Sequence, residues 1–188
     1  MRQQFRSRGF TGGAQVEMQL EGQWAETNRL VRDLPLLIAA GYERGSKKAA
    51  KKFYNEIRKN IRDGGSRFGF VPLAPSTLLR KAKAGGDLGM FTFYHYYYRS
   101  IKMFEKGGTW YVGVRKGARN PKTATKGSSY TIAQYAAVLE NGSSKIPARP
   151  LWKMTFREMG GIKAFRKIIV AAIAYECYKR HGFKPTLY

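Results

Sequence analysis

The chain has 188 residues, 43% of them hydrophobic and 14% aromatic, a composition that can bury a core and that excludes a chain disordered throughout. Thirty-five Lys and Arg against twelve Asp and Glu give a formal charge of +23, which calls for an anionic partner or acidic neighbouring subunits and favours non-specific phosphate contact over base readout. A single cysteine, Cys177, excludes an intramolecular disulfide, so synthesis in a reducing cytoplasm is expected.

Residues 1–13 are basic, lack the apolar stretch of a signal peptide, and read as a flexible arm. Ala14 to Glu21 alternates Val16, Met18 and Leu20 with polar residues, the period of a half-buried strand. From Leu34 the spacing turns helical. Ala50, Phe53, Ile57 and Ile61 recur on one face and Lys47, Lys51, Arg58 and Arg62 on another, up to Gly64-Gly65. Pro35 suits a first turn, whereas Gly41 and Gly45 weigh against helix in the N-terminal half. Arg67 to Asp87, with two prolines and several glycines, reads as a loop holding one helical turn.

Met90 to Phe104 is aromatic and strand-forming without clean alternation, and Thr109 to Arg115 alternates Trp110, Val112 and Val114. Gly107-Gly108 between them predicts a hairpin. Lys116 to Thr131 is a basic loop able to order on a partner. Tyr135 to Glu140 reads as a further strand, and Asn141-Gly142 as a tight turn. Pro147 and Pro150 hold the next residues extended. Ile162 to Arg180 returns to helical spacing through Phe165, Ile169, Ile173 and Cys177. The expected fold is α+β: a small antiparallel sheet packed with a long N-terminal helix and a C-terminal helix, plus an extended arm and long loops. Residues 14–181 would form one domain, followed by a tail at 182–188. The most apolar run, Ile168 to Tyr175, falls short of the ~20 residues that span a bilayer, so no membrane partner is expected.

Catalysis finds little support in the residues present. His95, His181 and Cys177 have no metal-ligand spacing, the carboxylates are dispersed, and Cys177 falls on an apolar helix face as an inert thiol. No catalytic residue, cofactor or metal is therefore assigned. The run Tyr94, Tyr96, Tyr97, Tyr98 beside Arg99 could stack bases, but tyrosines in such a run more often fill a core and an interface. The basic face is either solvated surface or a contact for DNA or an acidic partner. Lys47, Lys51, Arg58, Arg115, Lys116, Arg119, Lys122 and Lys126 are its candidates.

Four segments, in order, resemble the head-tail joining and tail-completion proteins of tailed bacteriophages, also known as neck or virion morphogenesis proteins. The first is AQVEMQLEG with the helix after it. The second, Val71-Pro72-Leu73-Ala74-Pro75-Ser76-Thr77-Leu78 ending in Arg80-Lys81, is similar to a "PLSPxT…RK" loop. The third is Arg99-Ser100-Ile101 leading to Tyr111-Val112-Gly113-Val114. The fourth is Tyr135-Ala136, Leu139-Glu140-Asn141-Gly142, then Ile146-Pro147-Ala148-Arg149-Pro150-Leu151, similar to a "YA…E.G…IPARPFL" closing motif.

This resemblance implies a non-catalytic ring, a hexamer by analogy, seated in the virion neck after assembly in the host cytoplasm. The ring would join the DNA-filled head, through its connector, to the tail terminator or tube, with genomic DNA in its lumen. The alternative function is a non-specific DNA- or RNA-binding module. Within the closing motif, Arg149 is expected to pair with a carboxylate, Glu140 being the local candidate. The motif itself is weighted towards holding the fold over touching a partner. Partner contact is expected from the loop carrying Pro72, Pro75, Thr77, Arg80 and Lys81.

Overall fold

A computed structural model describes residues 24–91, 96–119 and 131–182. The expected first strand at 14–21, the arm and the tail beyond Gly182 lie outside them. Helix α1 runs from Trp24 to Arg62, 39 residues, beginning well before Leu34 and passing through Pro35. Tertiary contacts hold that earlier half in place. Asp33 pairs with Arg180 at 3.1 Å and lies 3.5 Å from His181 Nε2, and Leu37 is buried. The two glycines that argued against helix are what allow the packing. A Cβ on Gly41 would lie 2.4 Å from the Cα of Ile173, and one on Gly45 would lie 2.6 Å from that of Ile169. Both partners belong to the last helix, Gly161–His181, which is buried at Cys177 and ends at Gly182 with φ 67°. Its bounds follow the sequence pattern closely. Residue numbers rise along α1 as their partners fall, so the two helices are antiparallel.

Between them, α2 spans Pro75–Lys83, α3 spans Tyr96–Ser100, β1 spans Ile101–Lys106 and β2 spans Thr109–Val114. Next come α4, Ile132–Asn141, and α5, Leu151–Glu158, so the final helix is α6. The fold is mixed, as expected, with a long N-terminal helix, a two-stranded antiparallel sheet and a C-terminal helix, and it is mostly helical. The hairpin is the predicted one. Ile101 faces Val114 and Lys106 faces Thr109 across Gly107-Gly108, whose φ values of 58° and 74° suit a two-residue turn. Phe104 and Tyr111 stack at 5.4 Å on its exposed side, while Val112 and Val114 pack on the core.

Three expectations are corrected, and one element is added. The stretch 67–87 holds a nine-residue helix with Pro75 in its first turn, where a missing N–H costs no hydrogen bond. Strand begins only at Ile101; Tyr96–Ser100 is helical, with Ser100 Oγ donating to the Tyr97 carbonyl at 2.7 Å. The predicted strand at 135–140 is helix α4, so the sheet has two strands among the described residues. Thr131 and Gln134 form a reciprocal capping box, and Ile132, Ala136 and Leu139 bury one helical stripe. Residues 151–158, to which the sequence assigned no element, form α5.

The core gathers Ile57 and Ile61 of α1, Phe91, Tyr97, Ile101, Ile132, Ala136, Leu139 and Leu151. Beside it lies a buried polar joint. Asn60 Nδ2 donates to Thr155 Oγ1 at 2.7 Å, both residues being fully buried, and Arg67 reaches Asn60 Oδ1 and Glu158 (2.9 Å). Phe53 meets Trp152, Phe156 and Phe165 edge-on, which joins α1 to α5 and α6.

Candidate functional site

The closing motif folds back on itself and on the proline loop. Gly142 ends α4 with φ 78° and ψ 177°, and a Cβ there would lie 2.9 Å from the Ala148 nitrogen, so only glycine lets the chain double back so closely. Gly142 therefore stops a helix; it does not form the tight turn of a hairpin, and Asn141 belongs to α4. Ser143 N donates to the Ile146 carbonyl at 2.8 Å and Arg149 N to the Leu139 carbonyl at 2.7 Å, closing a loop whose exit Pro147 and Pro150 stiffen.

Arg149 and Glu140 do not pair with each other. The Arg149 side chain is 4% exposed, and its Nε and Nη2 donate to the Val71 carbonyl at 3.2 and 3.0 Å. Nη2 also reaches the Pro72 carbonyl at 3.3 Å. Glu140 instead accepts from the backbone N–H groups of Trp152 (3.1 Å) and Lys153 (2.9 Å). These are orphan donors of the first turn of α5, which Pro150 at the N-cap cannot satisfy. The guanidinium fork thus clamps two carbonyls of the proline loop, and the carboxylate caps a helix. Both contacts are made within the fold.

This clamp creates a cleft of about 650 Å³ between the proline loop with α2 on one side and α4 with the closing motif on the other. Pro72, Thr77, Arg80 and Lys81 line it together with Tyr135, Ile146, Pro147 and Arg149, so residues from two separately chosen segments meet at one surface. Pro75, Glu140, Gly142, Ala148 and Pro150 support it from outside its lining. Sequence reasoning singled out neither Lys145 nor the floor residues Phe91 and Ile132, whereas Tyr97 belongs to the tyrosine run expected to fill a core. Lys145 was legible as the cation beside the closing motif; the floor depends on long-range packing.

Charge in the cleft follows from burial. Lys81 is buried, and desolvation lowers its pKa against the pull of Asp87, while its ammonium donates to the Gly89 carbonyl. Burial likewise raises the Tyr135 phenol, opposed by the guanidiniums of Arg149 and Arg80. Tyr97, edge-on to Tyr135 at 6.2 Å, is buried with a strongly raised pKa, and its hydroxyl accepts from Trp152 Nε1 at 2.7 Å.

The basic candidates separate. Lys51, Arg115, Lys116 and Arg119 are exposed, and Lys47 is exposed with its ammonium 5.2 Å from the Trp110 ring centre. Arg58 departs from its expected outward role: half-buried, it lies over Tyr98 at 4.1 Å and Tyr54 at 5.1 Å and donates to the Tyr54 hydroxyl. Tyr97 and Tyr98 are therefore occupied within the fold. Lys122, Lys126 and His95 lie outside the described residues. The basic loop has a closed base, because Arg119 bridges Thr131 and Ile132 N donates to the Ala118 carbonyl at 2.8 Å.

Among the described residues no three His, Cys, Asp or Glu converge as metal ligands, and no helix is long and apolar enough to cross a membrane. No protein-family model, curated protein or solved structure matches the chain.

Proposed function

We propose that this chain is a non-catalytic structural subunit of a tailed-phage neck, forming a ring that joins the connector of the DNA-filled head to the tail terminator or tube. One observation supports this reading most. The two segments with the most distinctive resemblance, 71–81 and 135–151, are locked together by the Arg149 clamp and enclose one cleft, as parts of a single device would be. The ring, hexameric by analogy, would form in the host cytoplasm and remain in the virion. Exposed Lys51, Arg115, Lys116 and Arg119 would face genomic DNA in the lumen or acidic surfaces of adjoining rings.

Electron microscopy of particles assembled without the protein tests the proposal. Separate filled heads and finished tails are expected; normal virions would overturn it. The exposed Lys48, Lys51 and Lys52 of α1 favour a second reading, a module binding nucleic acid without sequence preference. That reading requires tight binding to random duplex, falling steeply with salt, by a protein that stays monomeric in the presence of phage tails.

A further inference from the structure

The cleft has an apolar floor and a charged lining of one sign. Ile132, Leu139 and Ile146 supply apolar surface; Arg80, Lys81, Lys145 and Arg149 supply the charge, and among the described residues no carboxylate lines it. Two of these cations are engaged within the fold, Arg149 on the Val71 and Pro72 carbonyls and Lys81 on the Gly89 carbonyl. Arg80 and Lys145 differ: both are exposed, and neither side chain has a hydrogen bond or ion pair among the described residues.

The wall itself is polypeptide outside any helix or strand, extended at Ala74. Residues 70–74 have no regular secondary structure, Ala74 has φ −58° and ψ 143°, and the N–H groups of Val71 and Leu73 have no backbone partner among the described residues. Unpaired donors beside an apolar trough are what an added extended segment satisfies, main chain to main chain, with alternate side chains entering the trough.

We propose that this cleft is the docking site for a short, extended, acidic segment of a partner protein, which places apolar side chains against Ile132, Leu139 and Ile146 and carboxylates on Arg80 and Lys145. Charge complementarity selects the occupant. A second copy of so basic a chain is disfavoured at a cationic rim, and nucleic acid has no use for the apolar floor. The inference rests on the assembly reading only in taking the occupant to belong to a neighbouring assembly protein.

Fluorescence anisotropy on the full chain, at about 0.15 M salt to screen distant charge, tests it with labelled octapeptides. One alternates leucine with glutamate, a second leucine with glutamine, and a third serine with glutamate. The leucine–glutamate peptide is expected to bind best. The doubly substituted Arg80→Glu/Lys145→Glu protein should bind it about tenfold more weakly, because two rim pairs become repulsions. Lys51→Glu/Lys52→Glu, the same charge change on α1, should leave its binding within about twofold, since those residues lie outside the cleft. Thr77→Trp, which fills the trough, should abolish it; if that variant does not fold, the rim variant still decides, its fold checked by an unchanged melting temperature.

Equal binding of the serine–glutamate peptide, equal loss in the α1 variant, or no binding of the leucine–glutamate peptide would each overturn the proposal. Displacement of the peptide by dodecanoate at equal concentration would also overturn it, by making the site one for a small amphiphile. Peptide capture together with normal virions from particles lacking the protein would retain the cleft assignment and remove the neck; joining defects without peptide capture would do the reverse.

Discussion

Replacing Gly41 by alanine tests the helix crossing with a result whose sign separates two accounts. In an isolated helix the change is favourable by about 1 kcal/mol, because alanine restricts the unfolded chain and suits helical geometry. Here the new methyl would lie 2.4 Å from the Ile173 Cα and 2.8 Å from its nitrogen. Carbon atoms rest at roughly 3.5–4.0 Å, so α1 and α6 must part by about 1 Å. The obstruction is backbone and cannot rotate aside. Overpacking of this kind costs about 1–3 kcal/mol, and at the upper end the net loss is about 1–2 kcal/mol. For a chain of this size the melting temperature should fall by about 2–8 °C, read by far-UV circular dichroism. Gly45→Ala should behave alike, its methyl meeting the Ile169 Cα at 2.6 Å. Ala40→Gly, at an exposed neighbouring position, should also destabilise, but through propensity alone. A rise of about 2–4 °C in Gly41→Ala would show that propensity governs the site and would refute the close crossing.

Three further predictions concern the clamp, the cap and the buried phenol. Arg149→Met, by leaving the Val71 and Pro72 carbonyls without their donor, should cost about 1–3 kcal/mol and speed proteolysis within 67–87 before global unfolding; unchanged cleavage there would dismiss the clamp. Glu140→Gln, which keeps an acceptor but loses its charge beside the first turn of α5, should lower stability by about 0.5–1 kcal/mol in chemical denaturation, and Glu140→Ala by more. Tyr97 holds its proton more tightly when folded, chiefly through burial, whereas the unfolded chain releases it near the ordinary phenol value of about 10. Its stabilisation is therefore complete below about pH 10 and lost as the pH rises further, by up to about 1.4 kcal/mol per pH unit. Lysine titration relieves positive repulsion over the same range, so the readout is the difference between the parent and Tyr97→Phe. Parallel stability curves above about pH 10 would contradict the assignment.

Local pattern carried the parts of this fold that are local in origin. The glycine pair at 107–108 specified a two-residue hairpin, and the stripe ending in Cys177 specified α6 almost to its bounds. The composition specified a basic surface. The errors arose where two readings of an apolar run compete. Tyr135 to Glu140 is short enough to be strand or helix, and the capping box at Thr131 and Gln134 was the overlooked arbiter. At Gly41 and Gly45 the residues were read correctly as poor helix formers, but the propensity deficit is outweighed by a close approach that only the partner helix reveals.

The sequence by itself determined the charge, the hairpin, the C-terminal half of α1, the last helix and the segments that meet at the cleft. Tertiary structure decided what those segments do. Arg149 and Glu140 stand close in sequence and complementary in charge, yet each binds backbone groups brought to it by long-range folding, 78 residues away for the arginine and 12 for the carboxylate. A forked donor takes the nearest unpaired carbonyls and a carboxylate the nearest orphan helix donors. Which groups those are is fixed by packing, and so is the cleft that the clamp encloses.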